Sequence, residues 1–274
     1  MNYKIIFSDI DGTLLNSDRT ISEFTEAQIK KIKSQLPFIL VSSRMPRQMT
    51  YFQDQLDDRG QSMIAYNGAL VLHREQVIHS TEIPVETLDR LVGFNESASE
   101  PIHISLYHGD EWTVNAMDHW ARREENNTRV TPEILSNKAT LDKWEKEKKG
   151  AHKVMCMGDP EQIDRIVEFL GDTCTDTLHL YRSKDTYLEI ADRRVSKLTG
   201  INLLLEAMGN DISLEQAIAF GDNYNDIEMI RAVGMGVAVA NAREELKEVA
   251  NKITTHHKED GVGRFLQEIS GQLS

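Results

Sequence analysis

The chain has 274 residues, of which 40% are hydrophobic and 27% are charged, and this composition excludes an intrinsically disordered protein. Lysine and arginine total 31 against 44 acidic residues, which gives a formal net charge of -13. A field of that sign repels nucleic-acid backbones and anionic lipid surfaces, so we expect neither as a partner. An anionic small molecule would need a locally positive site.

Cysteine content and the N-terminal residues indicate the compartment. The two cysteines, Cys156 and Cys174, offer no disulfide framework and no closely spaced metal-binding pair. The N-terminus reaches Asp9 before an apolar signal segment could form, and no later run approaches the ~20 apolar residues of a membrane span. We therefore expect a cytoplasmic protein.

Both ends of the chain alternate short apolar runs with amphipathic stretches. In the first third, the predicted order is strand 4–8, helix 23–35, strand 38–41, helix 47–57 and strand 63–65. In the last third, it is helix 197–208, strand 217–220, helix 226–232, strand 236–240 and a helix from 243. Such alternation predicts βαβ units with parallel strands, so the two ends are expected to form halves of one sheet.

The middle of the chain follows a different pattern, with strands predicted at 102–107, 112–116, 152–157, 178–182 and 187–190 and fewer helices between them. Pro84 interrupts the alternation on one side, and the charged segment 191–194 ends it on the other. We predict an α/β core domain of residues 1–82 and 190–274, with an inserted α+β domain of residues 83–189.

Acidic side chains follow two of the predicted core strands. Asp9 and Asp11 come at the end of strand 4–8, and their spacing of two lets them point the same way. Asp222, Asn225 and Asp226 follow strand 217–220. A turn and a helix N-cap are the ordinary structural interpretations of these two clusters.

Two acidic strand ends in one sheet bring like charges together, which is costly unless a cation lies among them. The ligands on offer are oxygens, without paired histidines or cysteines. A hard ion such as Mg²⁺ is therefore favoured over zinc.

Two other segments could hold an anion beside that metal. Strand 38–41 ends in Ser42-Ser43-Arg44, where a hydroxyl and the following backbone N–H groups could receive a phosphate at a helix N-terminus. Lys197 opens a predicted helix and could extend its ammonium over the same spot. The alternatives are that Ser42 is a plain N-cap and that Lys197 is solvated.

In this order, the strand-end acids, the strand-end serine, the lysine and the second acidic pair resemble the four motifs of the haloacid dehalogenase superfamily. The resemblance covers residues 1–80 and 190–274, and the insert is similar in place and size to the large α/β cap of the Cof-like sugar-phosphatase branch. It implies a Rossmann-like core with a parallel sheet. Two residues differ from the usual family pattern. Ser43 stands where the family usually has glycine, and Ser42 stands where threonine is commoner.

The resemblance also implies a mechanism. Asp9 would be the nucleophile that forms an aspartyl-phosphate, and Asp11 would protonate the leaving alcohol and later deprotonate the hydrolytic water. This acid-base task requires an Asp11 pKa above that of an exposed acid.

The same resemblance implies which residues would bind the metal and the phosphate. Mg²⁺ would be held by Asp9, the Asp11 backbone carbonyl and Asp222, and the phosphate by Ser42, Ser43 and Lys197. The residues assigned to metal ligation through water or to support of the site are Asn225, Asp226 and Arg44.

The expected substrate is a small phosphorylated metabolite, such as a sugar phosphate, with the insert acting as a lid. Conceivable contacts in the insert, for each of which core packing or a solvated surface is the preferred interpretation, are Tyr107, His108, Asp110, Trp112 and Arg182. A phosphomutase, or a specialised sucrose-phosphate or mannosyl-phosphoglycerate phosphatase on the same scaffold, is an alternative. A non-enzymatic phosphate-binding regulator is a more remote one.

Overall fold

A computed structural model describes residues 3–174, 176–209 and 212–271. The chain forms two compact units, which we call the core unit (Met1–His79 with Ser196–Ser274) and the insert unit (Ser80–Val195). Each unit has its own cluster of buried apolar side chains. Among the described residues, no helix is both long and apolar enough to cross a membrane.

The described residues form fourteen strands and ten α-helices, with four three-residue 3₁₀ helices between them. The strands are β1 Ile5–Ser8, β2 Phe38–Val41, β3 Met63–Ala65, β4 Leu70–His73, β5 Gln76–Ser80, β6 His103–His108, β7 Glu111–Val114, β8 Glu133–Ile134, β9 Lys153–Met157, β10 Leu178–Lys184, β11 Tyr187–Asp192, β12 Ala217–Gly221, β13 Met235–Ala238 and β14 Lys252–Ile253. The helices are α1 Glu23–Ile32, α2 Arg47–Gln55, α3 Val85–Glu96, α4 His119–Thr128, α5 Asn137–Glu147, α6 Pro160–Cys174, α7 Lys197–Met208, α8 Ile227–Ala232, α9 Glu244–Lys247 and α10 Gly261–Ser270.

The core unit is built on one sheet with the strand order β14-β13-β12-β1-β2-β3-β4-β5. Its central pairs, β12 with β1, β1 with β2 and β2 with β3, are parallel. Strands β1, β2 and β12 are buried along their whole length and, apart from Ser8, contain no polar side chain, as expected for parallel strands covered on both faces. The prediction of an α/β core with a parallel sheet is confirmed.

The register of β1 and β12 places the two acidic segments side by side. Ile5 lies opposite Ala217 and Ser8 lies opposite Phe220, so the two strands end at the same edge of the sheet. Strand β2 pairs in parallel on the other side of β1 and ends at Val41. The segments that begin at Asp9, Ser42 and Asp222 therefore leave the sheet at one edge, where open parallel sheets bind ligands.

Some core elements differ from the sequence prediction. The helix expected from residue 243 is the four-residue α9, and the hairpin of β4 and β5 was missed. The turn of that hairpin holds Arg74 and Glu75 at positive φ, 50° and 67°. Asn-Gly and Asp-Gly are the strong sequence signals for such a turn, and this chain uses neither.

The insert unit has a six-stranded sheet with the order β10-β11-β9-β6-β7-β8. Its pairings are antiparallel except that of β7 with β8. Four helices, α3 to α6, accompany the strands in the described part of this unit, which is more helix than the sequence pattern predicted. Trp144 on α5 is fully buried in its core, so the mixed-charge stretch around it is one face of an amphipathic helix.

The conceivable binding residues of the insert mostly serve its own packing. Tyr107 and Trp112 are buried and stack at a ring-centroid distance of 5.6 Å. His108 Nδ1 donates to the Gly150 carbonyl at 2.9 Å, and Arg182 pairs with Asp164. These contacts agree with the preferred interpretation of core packing and surface pairing.

Candidate active site

Asp9, the first residue after β1, is joined to the first residue of α7. Its Oδ1 accepts a hydrogen bond from Lys197 Nζ at 2.6 Å, and its backbone N–H donates to the Phe220 carbonyl at 3.1 Å. The Lys197 side chain is fully buried. The alternative of a solvated lysine is therefore wrong, because the ammonium is buried and paired with a carboxylate. The two groups are 188 positions apart in the sequence, and only the fold brings them into contact.

Asp226 is the second partner of Lys197. Its Oδ1 accepts from Lys197 Nζ at 2.5 Å, and its Oδ2 accepts from the backbone N–H groups of Asp222 at 2.9 Å and Asn223 at 3.0 Å. Both carboxylate oxygens are thus engaged, and the side chain has no exposed surface. Of the two roles left open for Asp226, these contacts favour the orientation of Lys197.

Asp222 lies against the loop that follows Asp11. Its Oδ1 accepts from Thr13 Oγ1 at 3.1 Å. The backbone of Gly12 has φ +84°, and a Cβ added there would lie 2.4 Å from Asp222 Oδ2. Asn241 Nδ2 donates to the Gly12 carbonyl at 2.8 Å and holds the loop in place. Glycine is required at position 12 both for the left-handed backbone and for this close approach.

Carboxylate oxygens of Asp9, Asp222 and Asp226 lie within 4.8 Å of one another. Among the described residues, none donates a hydrogen bond to Asp9 Oδ2, although this oxygen is buried. A buried anionic oxygen without a donor is costly, and a cation is the partner that would satisfy it. The donor set consists of hard oxygens, so these residues fit a divalent metal ion.

The electrostatics of the cluster favour the binding of a cation. Burial and the charges of Asp226 and Asp222 raise the pKa of Asp9 well above its ordinary value, although Lys197 opposes the shift. Burial, with Asp226 beside it, raises the pKa of Asp222 to about 7. A bound cation favours the ionised form of its carboxylate ligands, so it would reverse both shifts.

Lys197 stays cationic in this setting. Burial alone would lower the pKa of its ammonium, but the charges of Asp226 and Asp9 outweigh burial and raise it. Lys197 therefore supplies a fixed positive charge to a chain whose overall charge is -13.

Ser42 is buried at the end of β2 and takes part in a turn. Its Oγ accepts from the Arg44 backbone N–H at 3.2 Å, and its carbonyl accepts from the Asn67 N–H at 2.8 Å. Helix α2 begins only at Arg47, after Pro46. The interpretation of Ser42 as a plain N-cap is therefore wrong, and no helix N-terminus follows Ser42 directly.

The backbone at Ser43 is compatible with a side chain. Ser43 does not adopt a positive φ, so this position needs no glycine. It lies half-buried between Ser42 and Arg44, in the segment that could supply backbone N–H groups to an anion.

Asp11 contradicts one expectation. Its carboxylate accepts two hydrogen bonds from Arg44, from Nε at 2.7 Å and from Nη2 at 2.8 Å. Burial would raise the pKa of Asp11, but these hydrogen bonds and the charge of Arg44 outweigh it, and Arg19 adds to the effect. The pKa of Asp11 therefore lies below its ordinary value, whereas the sequence analysis predicted a raised one.

Asn225 serves the neighbouring loop. Its Nδ2 donates to Asn67 Oδ1 at 3.1 Å. Gly68 follows with φ +104°, and a Cβ there would lie 2.3 Å from the Ser196 carbonyl, which precedes Lys197. The loop of Asn67 and Gly68 thus packs directly against the start of α7.

Sequence reasoning assigned no role to Thr13 or Arg19, and it did not predict that Arg44 pairs with Asp11. Thr13 carries a weak signal, since it follows Asp9 and Asp11 at the same spacing of two. Arg19 has φ +58° in an exposed loop, and nothing in its local sequence indicates that its charge acts on Asp11.

Comparisons with known proteins place the chain in a family of hydrolases. A sequence model of the haloacid dehalogenase-like hydrolase family matches residues 6–266. A Haemophilus influenzae protein that is named provisionally as a phosphatase is 31% identical over 272 residues, with 98% of each chain covered. The Bacillus subtilis protein YitU, a 5-amino-6-(5-phospho-D-ribitylamino)uracil phosphatase, is 29% identical over 276 residues, with 96% of each chain covered.

A solved structure gives the same result for the fold. The crystal structure of a haloacid dehalogenase-like hydrolase from Bacteroides thetaiotaomicron superposes with a TM-score of 0.86 at 27% identity, covering 97% of this chain and 99% of that one. The resemblance found in the motifs is confirmed over nearly the whole sequence. The chain belongs to the haloacid dehalogenase-like hydrolases, an enzyme family in which its relatives bear phosphatase names.

Proposed function

We propose that this hydrolase is a magnesium-dependent phosphatase that cleaves small phosphomonoesters through an aspartyl-phosphate on Asp9. The observation that carries the proposal is the buried arrangement of Asp9, Lys197 and Asp226 next to Asp222, in which one Asp9 oxygen has no donor among the described residues. Such a site would combine a carboxylate nucleophile, a fixed cation and oxygen ligands for a metal in one place.

In the first half-reaction, a carboxylate oxygen of Asp9 attacks phosphorus. A bond forms between Asp9 and phosphorus while the ester P–O bond breaks, and Asp11 donates a proton to the leaving oxygen. Lys197 and the Ser42-Ser43 segment bind the non-bridging oxygens of the phosphoryl group. A fixed ammonium acts most strongly when it is buried, as the Lys197 ammonium is here.

In the second half-reaction, water attacks the phosphorus of the aspartyl-phosphate. Asp11 accepts a proton from that water, the bond between Asp9 and phosphorus breaks, and inorganic phosphate leaves. The ionised form of Asp11 that the Arg44 contact stabilises is the form that this step requires. The proton gained by Asp11 is the one it gives to the next leaving group.

The carboxylates of Asp9 and Asp222, with the backbone carbonyl of Asp11, would hold Mg²⁺. When bound, this ion would draw negative charge from the phosphoryl oxygens. Mg²⁺ prefers carboxylate and carbonyl oxygens, which are the donors that this chain places at the strand ends.

The substrate class follows from charge and from one relative. Four carboxylates at the strand ends face three cationic side chains, those of Lys197, Arg44 and Arg19. With a divalent cation bound, this site would carry a net positive charge, which suits a small dianion. The named B. subtilis relative acts on a phosphorylated ribityl chain, and we propose a small phosphorylated metabolite such as a sugar phosphate for this chain. The insert, residues 83–189, is proposed as a cap that excludes water and selects the leaving group.

The test is hydrolysis of a generic phosphate ester by the purified chain, with and without chelator. We expect Mg²⁺-dependent release of inorganic phosphate that is abolished in Asp9→Asn. The matched control is Asp54→Asn, which makes the same change at an exposed acid on α2 and should retain the wild-type rate. Rapid quenching with labelled substrate should trap phosphate on the wild type. Wild-type turnover by Asp9→Asn would refute the nucleophile.

Product analysis separates the alternatives on the same scaffold. A phosphomutase would return an isomeric phosphate ester, whereas the proposed hydrolase releases inorganic phosphate. A phosphate-binding regulator would bind the ester without turnover.

A further inference from the structure

Arg44 is unusually well fixed for an arginine beside a strand-end loop. Its side chain is only 5% exposed, and its guanidinium lies 5.3 Å from the centroid of the Phe52 ring. Its Nη1 donates to the Tyr51 hydroxyl at 3.1 Å and to the Gln48 carbonyl at 3.4 Å. Three contacts from α2 therefore set the direction in which the guanidinium points.

The opposite edge of the guanidinium holds Asp11. Nε and Nη2 donate to the two different oxygens of the Asp11 carboxylate, at 2.7 and 2.8 Å. Within the described residues, both hydrogen bonds to this carboxylate come from Arg44. A bidentate pair fixes the plane of the carboxylate as well as its position, which a single donor does not do.

Asp11 needs such a partner because its surroundings do not confine it. Its side chain is 45% exposed, and it precedes Gly12, whose backbone is left-handed. A side chain with that exposure would sample several rotamers, and proton transfer needs the carboxylate within hydrogen-bond reach of one oxygen.

We propose that Arg44 is a positioning residue that fixes the Asp11 carboxylate for proton transfer at the leaving-group oxygen. The inference rests on the proposed function and adds a residue that acts through Asp11. Contacts on α2 fix the Arg44 guanidinium, and the guanidinium in turn fixes the Asp11 carboxylate.

Leaving-group dependence tests this role. An alkyl phosphate has a poor leaving group and depends on proton donation, whereas p-nitrophenyl phosphate has a good one and depends on it far less. The parameter to compare is kcat/KM, because it covers the steps up to formation of the aspartyl-phosphate, whereas hydrolysis of that intermediate is common to both esters. We expect Arg44→Met to lower kcat/KM for an alkyl phosphate about 100-fold, the lower end of the usual range for general acid-base catalysis, and to lower it less than about 5-fold for p-nitrophenyl phosphate.

Three further variants complete the experiment. Asp11→Asn should show the same selectivity between the two esters, and the double variant should be no slower than Asp11→Asn, because the two residues act as one unit. Arg44→Lys keeps the charge without the bidentate geometry, so it should fall between Arg44→Met and the wild type. The control Arg59→Met changes an exposed arginine that pairs with Asp54, and it should leave both rates unchanged.

The outcomes are distinct. Equal losses of kcat/KM on the two esters would assign Arg44 to phosphate binding or to folding and would overturn the inference, as would an unchanged kcat/KM for the alkyl ester. If Arg44→Met does not fold, the same comparison is made with Arg44→Lys. If the wild type hydrolyses neither of the two esters, the proposed function is refuted and the inference with it.

Discussion

Single atoms decide whether the strand-end acids can meet. Gly12 has φ +84°, and its missing Cβ is the space that Asp222 Oδ2 occupies. Gly221 leaves similar room, because a Cβ there would lie 2.6 Å from the Cβ of Asp226. Both glycines let a backbone approach a carboxylate that must point into the same cluster. The acids in the sequence are therefore necessary but insufficient for the site.

Gly12→Ala is predicted to weaken metal binding and turnover together. The new Cβ would push the Asp222 carboxylate away, and positional losses of this kind typically cost 10–100-fold in metal affinity. Titration calorimetry with Mg²⁺, alongside phosphate release, measures both effects. The matched control is Gly209→Ala, which has φ +62° but no atom within 4 Å of the added Cβ. It should lose stability and keep its metal affinity. Unchanged Mg²⁺ affinity in Gly12→Ala would contradict the assigned role of Asp222.

At the scale of elements, the site depends on where α7 begins. Ser196 caps this helix: its Oγ accepts from the Thr199 N–H at 3.2 Å, and Thr199 Oγ1 accepts from the Ser196 N–H at 3.0 Å. Lys197 is the next residue, so the capping box fixes the residue that contacts Asp9 and Asp226. The strand ends supply the acids, and a helix start supplies the cation between them.

Ser196→Ala should lower both stability and activity. Loss of an N-cap side chain costs about 1 kcal/mol, and a first turn that frays moves Lys197 away from its two carboxylates. Urea unfolding and kcat are the two measurements. Ser136→Ala makes the same change at the cap of α5, where Ser136 Oγ accepts from the Ala139 N–H, and should cost similar stability without the loss in kcat. A Ser196→Ala enzyme with wild-type kcat would show that the cap does not position the lysine.

The whole molecule consists of two units that each bury a core of their own. Every residue that we assign to metal or phosphate binding lies in the core unit, on segments from both ends of the chain. The described residues of the insert unit contain another group of possible ligands, Glu82, His108 and His152. There, Gly150 and Gly109 donate to Glu82 and His152, and His108 donates to Gly150, so hydrogen bonds account for this cluster.

Mg²⁺ is accordingly predicted to stabilise the core unit more than the insert unit. A ligand that binds only the folded state adds about 2.7 kcal/mol at one hundred times its Kd, and this energy goes to the unit that forms the site. Amide hydrogen exchange with and without Mg²⁺ measures it region by region. Protection should rise around β1, β12 and the start of α7, and Asp222→Asn should abolish the rise. An equal rise throughout residues 80–195 would contradict the assignment of the metal to the core unit.

Much of the fold follows from local patterns in the chain. Apolar runs such as Phe38–Val41 and Ala217–Gly221 are buried strands. Between successive apolar runs, the spacing of hydrophobic residues changes to that of a helix, which predicts the helices. The β4–β5 hairpin was missed because Arg74 and Glu75 take left-handed conformations that their residue types do not signal. Local sequence identifies elements where side-chain spacing and backbone preference agree, and fails where the fold imposes a rare conformation.

The sequence by itself determined which residues end the central strands, because alternation and apolar runs are local properties. It thereby identified Asp9, Ser42 and Asp222 as candidates, and the start of the predicted helix 197–208 identified Lys197. Only the tertiary structure decided their partners: Lys197 between Asp9 and Asp226, and Asp11 held by Arg44 with a lowered pKa. The physical reason is that the partner of a charged side chain depends on distances and burial between segments far apart in the chain, and these are settled only when the sheet and helices pack.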